Sequence, residues 1–123
     1  MSKFKLCKIC GKTIELMNQE IIPTFCCGEE MELLNPNTVD ASHEKHVPVY
    51  TIQNDEIIVQ IGEDLHPSVP EHHIMWIALV AENIIEKKLL QPGDKPEARF
   101  RYFENSEIYA YCDIHGLWKK EVK

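Results

Sequence analysis

The stretch Ile74-Met75-Trp76-Ile77-Ala78-Leu79-Val80-Ala81-Glu82-Asn83-Ile84-Ile85-Glu86-Lys87-Lys88-Leu89-Leu90 decides the fold. It holds few breakers and spaces Ile77, Ala81, Ile84 and Ile85 at near-helical intervals. Propensity alone therefore favours a helix, with a pair of strands as the rival reading. The surrounding sequence is rich in strand signals. Val47-Pro48-Val49-Tyr50-Thr51-Ile52 is β-prone, and Glu56-Ile57-Ile58-Val59-Gln60-Ile61 alternates apolar and polar residues. Gln53-Asn54-Asp55 between them suits a hairpin turn. Ala98 to Phe103 and Ile108 to Tyr111 repeat the pattern, with Glu104-Asn105-Ser106-Glu107 as the turn between them.

The chain has 123 residues, 44% apolar and 27% charged, enough to bury a core and too apolar for disorder. Its net charge of −7 argues against nucleic acid, whose phosphates call for a basic face. A small anionic substrate is still compatible, because a local field can oppose the net charge. No apolar run reaches the ~18 residues that span a bilayer. Met1-Ser2-Lys3-Phe4-Lys5 leads straight to Cys7, without room for a signal peptide, so the expectation is a cytoplasmic protein.

Five cysteines and six histidines carry the chemistry. In a reducing compartment, clustered cysteines read as metal ligands or redox groups rather than a disulfide frame. Cys7, Cys10, Cys26 and Cys27 lie together near the start, and Asn35-Pro36-Asn37-Thr38 is a turn-rich break after them. The expected division is 1–36 and 37–123. A unit of under ~40 residues needs a staple, and four cysteines supply one. Cys7-x2-Cys10 puts two thiolates on one tight turn, while Cys26 and Cys27 reach one ion only at a cramped angle. Four thiolates favour tetrahedral zinc or iron and leave no open position. The adjacent pair is unusual for zinc modules and tilts the reading towards iron.

All six histidines fall between His43 and His115. His46 precedes Val47-Pro48, His66 precedes Pro67, and Cys112-x2-His115 precedes Gly116, so several candidates sit at turns that hold a ligand rigid. Five groups from three separated segments exceed what a structural zinc takes. They suggest octahedral iron with one position free, against the plainer reading of unrelated loop histidines.

Together these residues resemble the desulfoferrodoxin family, the two-iron superoxide reductases, over essentially the whole chain. Cys7-x2-Cys10-x15-Cys26-Cys27-Gly28 is similar to the family's desulforedoxin-like centre. Glu44-Lys45-His46-Val47-Pro48, His66-Pro67 with His72 and Trp76-Ile77, and Tyr111-Cys112-x2-His115-Gly116-x-Trp118 are similar to its catalytic iron centre. Each block is short, but four in one order are specific.

The resemblance implies an all-β chain: a small metal module over 1–36, then an immunoglobulin-like seven-stranded β-sandwich over 37–123, which assigns Ile74 to Leu90 to strands. It implies Cys7, Cys10, Cys26 and Cys27 around one iron, with zinc as a possible substitute. It implies His46, His66, His72 and His115 in the plane of a second iron, with Cys112 as axial thiolate. His43 and His73 fall outside those positions. The implied activity is one-electron reduction of superoxide to hydrogen peroxide. Lys45 would guide the anion, Glu44 would ligate the oxidised iron, and a rubredoxin-like protein would supply electrons to a homodimer.

Overall fold

A computed structural model of the chain describes residues 4–16, 23–38, 43–63 and 66–123; within the last turn before Val47, the side chains of His43 and Glu44 are outside the described set. The chain divides into two units, Met1–Pro36 and Asn37–Lys123.

In the first unit, strands β1 (Phe4–Leu6), β2 (Thr13–Glu15) and β5 (Glu32–Leu33) form a sheet in the order β2-β1-β5. β3 (Phe25–Cys26) and β4 (Glu29–Glu30) form a two-stranded ribbon. Among the described residues the buried apolar set is small: Phe4, Cys7, Met31 and Leu34. Lys5 is also buried and donates from Nζ to Thr24 Oγ1 at 2.9 Å. So little apolar area cannot offset the ordering entropy of the segment by itself.

The second unit begins with a single helical turn, α1 (His43–His46). Strands β6 (Pro48–Gln53), β7 (Glu56–Ile61) and β10 (Glu97–Arg101) form one sheet in the order β10-β7-β6. β8 (Ile74–Val80), β9 (Ile85–Leu89), β11 (Glu107–Cys112) and β12 (Gly116–Glu121) form the other, in the order β12-β11-β8-β9. These are the seven antiparallel strands of an immunoglobulin-like sandwich. Ile57, Val59 and Ile61 from one sheet meet Ile77, Leu79, Ile108 and Ala110 from the other in a common core. Asn54, at the β6–β7 turn, has φ of 56°, as a two-residue hairpin demands.

The stretch Ile74 to Leu90 is the strand pair β8–β9. Its helix-like spacing loses to burial, because β8 lies between β11 and β9 and is covered on both faces. Ile77 and Leu79 enter the core, while on the opposite face the Trp76 ring stacks on Tyr111 at 5.8 Å. The Lys87 ammonium caps Trp76 at 4.3 Å from its centroid.

At one end of this sheet the ladder slips. Ala110 pairs with Ile77 and Tyr111 with Trp76, but Cys112 pairs with Ile74. Met75 is the extra residue of a β-bulge and turns outward, which returns Ile74 to the core opposite Cys112. No helix among the described residues is long and apolar enough to cross a membrane.

Candidate metal centres

Cys7, Cys10, Cys26 and Cys27 bring their sulfur atoms within 4.8 Å of one another. Cys7 and Cys10 flank a turn closed by Gly11 N–H donating to the Cys7 carbonyl at 2.9 Å, and Gly11 takes φ of 79°. Cys26 ends β3, while Cys27 and Gly28 form the turn to β4 with φ of 54° and 79°. Two positive φ angles in a two-residue hairpin are those of a type I′ turn. That turn resolves the crowding expected of adjacent cysteines, since it swings Cys27 away from the strand. Cys26 Sγ lies 3.8 Å from Cys10 Sγ and 3.9 Å from Cys27 Sγ. Tetrahedral ligation with bonds of ~2.3 Å puts sulfurs roughly 3.8 Å apart, so the spacing fits. The Cys10 amide beside its sulfur brings the Cys7 thiol down to about 7, whereas the hydrogen bond with Cys7 pushes Cys26 up to about 12. Four thiols this close ionise together only with a cation among them.

The second cluster lies at the bulged end of the sandwich. Three segments deliver its groups: His46 from the end of α1, His66 and His72 from the loop after β7, and Cys112 and His115 from the end of β11 and the turn to β12. His46 is 3% exposed, His66 2% and Cys112 0%, while His72 and His115 are half-buried. The described loop residues from His66 onward are held by hydrogen bonds. His66 N–H donates to the Ile61 carbonyl, His72 and Val69 exchange backbone bonds of 3.0 and 3.1 Å, and Ser68 Oγ donates to the Asp94 carbonyl at 2.7 Å. His46 stacks on Trp118 at 4.9 Å.

The four rings form a square. Neighbouring centroids are 4.7 Å apart for His46–His66, 4.6 for His66–His72, 5.0 for His72–His115 and 4.8 for His115–His46. The diagonal His46–His72 is 6.1 Å. Opposed imidazoles sharing an ion through bonds of ~2.1 Å have centroids roughly 6.3 Å apart. His46 Nε2 and His115 Nδ1 are 3.1 Å apart, close to the ~3.0 Å of two nitrogens at right angles on such an ion. Cys112 Sγ approaches His66 Nε2 at 3.5 Å and His115 Nδ1 at 4.0 Å.

Protonation fits as well. His66 Nδ1 lies 2.7 Å from the Pro67 carbonyl, which only accepts, so Nδ1 carries the proton and Nε2 presents a lone pair towards Cys112. Burial brings His66 down to about 4 and pushes the Cys112 thiol up. His72 Nε2 is buried with no hydrogen-bond partner among the described residues. A buried nitrogen left so is costly unless something else takes its lone pair. Both donor sets thus fit a metal ion.

Of the two adjacent histidines, His72 joins the square. His73 instead faces Asp113, with Nδ1 3.4 Å from Oδ2. Lys45 is exposed on α1. Asp113 escaped the sequence reading; its position directly after Cys112 was the one available signal.

The sequence pattern of the Desulfoferrodoxin family matches residues 38–121. A desulfoferrodoxin of Syntrophotalea carbinolica is 45% identical over 94% of this chain and 92% of its own length. A superoxide reductase of Thermococcus kodakarensis is 37% identical over 68% of this chain and 90% of its own. The crystal structure of the superoxide reductase from Treponema pallidum covers 97% of each chain with a TM-score of 0.77 at 30% identity. Two ligand clusters, a seven-stranded sandwich and these relatives agree, and the chain belongs to the desulfoferrodoxin family.

Proposed function

We propose that this chain is a superoxide reductase, that both clusters hold iron, and that the cluster of His46, His66, His72, His115 and Cys112 is the catalytic one. The observation that carries the reading is the square of four imidazoles with a thiol against it. Iron held there would supply one electron to superoxide, which with two protons becomes hydrogen peroxide.

The protein's part is electrostatic and geometric. Four rings held neutral bring no charge, so one thiolate leaves a divalent ion about one net positive charge, which favours an anion. The Cys112 sulfur would donate electron density to an ion held there. Lys45, exposed on the turn that ends in His46, adds an ammonium that draws superoxide in despite the acidic net charge. Glu44, two residues before His46, is proposed to ligate the oxidised iron. Glu44→Ala then changes the absorption spectrum of the oxidised protein and leaves the initial reaction with superoxide intact. An identical oxidised spectrum contradicts that role.

The four-cysteine cluster has no position for a substrate once four thiolates are engaged, so it clips the first unit together and optionally relays electrons. A rubredoxin-like electron donor and a homodimeric state are supported by the family resemblance, and a cytoplasmic location by the reading of the clustered cysteines as metal ligands rather than disulfides.

The test is stoichiometric. The iron-loaded, pre-reduced protein is mixed with superoxide and the products are counted. A reductase yields one peroxide per superoxide and no oxygen. A dismutase yields one peroxide and one oxygen per two superoxides, and that outcome contradicts the proposal.

A further inference from the structure

Where β11 ends, a side chain takes over from the backbone ladder. Beyond the Cys112–Ile74 pair, Asp113 N–H donates to the His73 carbonyl at 3.2 Å. The return bond comes from His73 N–H to the side-chain Oδ1 of Asp113, at 3.0 Å. The other carboxylate oxygen, Oδ2, lies 3.4 Å from His73 Nδ1 without a hydrogen bond between them. Oδ1 is also 3.9 Å from Cys112 Sγ. His73 directly follows His72, and Asp113 lies between Cys112 and His115.

We propose that Asp113 is a positioning residue for the ligand set: its carboxylate, braced by His73, fixes the distance between the segment bearing His72 and the turn bearing Cys112 and His115. The bulge at Met75 makes such a tie necessary. It shifts the ladder just before Cys112, and beyond the Cys112–Ile74 pair the two segments are joined by these contacts. Groups that orient ligands in this way change metal affinity by about 10- to 100-fold when removed. The inference rests on the reading of this cluster as a metal centre.

Three substitutions in the full chain test it: Asp113→Ala, Asp113→Glu and Asp113→Asn. Asparagine keeps an Oδ1 acceptor in place without the charge, whereas glutamate keeps the charge and displaces the acceptor by one methylene. Each protein is loaded with iron, and two quantities are read: release of iron to a strong chelator, and the sulfur-to-iron charge-transfer absorption. Asp113→Ala and Asp113→Glu release iron about 10- to 100-fold faster than the parent and shift the absorption, while Asp113→Asn stays near the parent in release. If Asp113→Ala does not fold, the glutamate–asparagine contrast carries the same test. Glutamate and alanine variants that match the parent overturn the role, as does an asparagine variant as impaired as alanine. A parent protein that binds no metal at this cluster overturns the metal-centre reading along with it.

Discussion

The two clusters invert the relation between fold and ligand set. Among the described residues of the first unit the buried apolar side chains are Phe4, Cys7, Met31 and Leu34, and one of them is itself a ligand candidate. There the ion would hold the fold. In the second unit a core drawn from both sheets includes Cys112 but is built mainly of residues outside the cluster, and backbone-bonded loop residues, a bulge and a hairpin turn hold the five donors in place. There the fold would hold the ion. A set of donors that the fold positions can keep one site of the ion open for chemistry. A set that closes round the ion to stabilise the chain cannot.

The largest break of this contrast comes from removing a ligand of the first unit. Structural thiolate sites contribute about 10–16 kcal/mol of folding free energy, so Cys26→Ala should abolish the β1-β2-β5 sheet of the first unit. Amide exchange of Phe4 to Leu6 reads this directly, while the protection of Ile108 to Ala110 in the sandwich should not change. Equal loss of protection in both would show that the second unit depends on the first.

The converse substitution, Cys112→Ser, should leave the sandwich folded and lower superoxide reduction by more than the ~100-fold typical of lost outer contacts. Circular dichroism checks the fold and rapid mixing with superoxide checks the rate. Activity near that of the parent would remove the thiol from the chemistry.

Much of this was legible in the residues. The spacing of Cys7-x2-Cys10, the strand alternation of Glu56 to Ile61 and the turn at Asn54-Asp55 each mark what the structure contains. Ile74 to Leu90 did not read clearly, because an inner strand buried on both faces loses the period-2 signal and borrows the composition of a buried helix. The bulge at Met75 leaves no periodic trace at all. Beyond its place directly after Cys112, Asp113 gave no signal for a related reason: a carboxylate in a turn looks solvated until the strand opposite it is known.

Lys45→Ala sharpens the electrostatic half of the comparison. It should slow the encounter with superoxide by about 10-fold at low ionic strength and flatten its salt dependence. An unchanged rate at low salt would make Lys45 a surface bystander. The smallest effect belongs to the frame. Asn54 holds φ of 56°, and Asn54→Ala should lower stability by about 1 kcal/mol, whereas Asn54→Gly should not. Thermal unfolding of the two variants separates them, and equal melting temperatures would mean that the turn relaxes.

X-ray absorption at the iron edge, on the iron-loaded Cys10→Ser variant so that the second unit's signal stands alone, tests the central claim most directly. The account predicts one iron bound by four nitrogens and one sulfur. An iron with fewer nitrogens, no sulfur neighbour or a closed tetrahedral shell would contradict it.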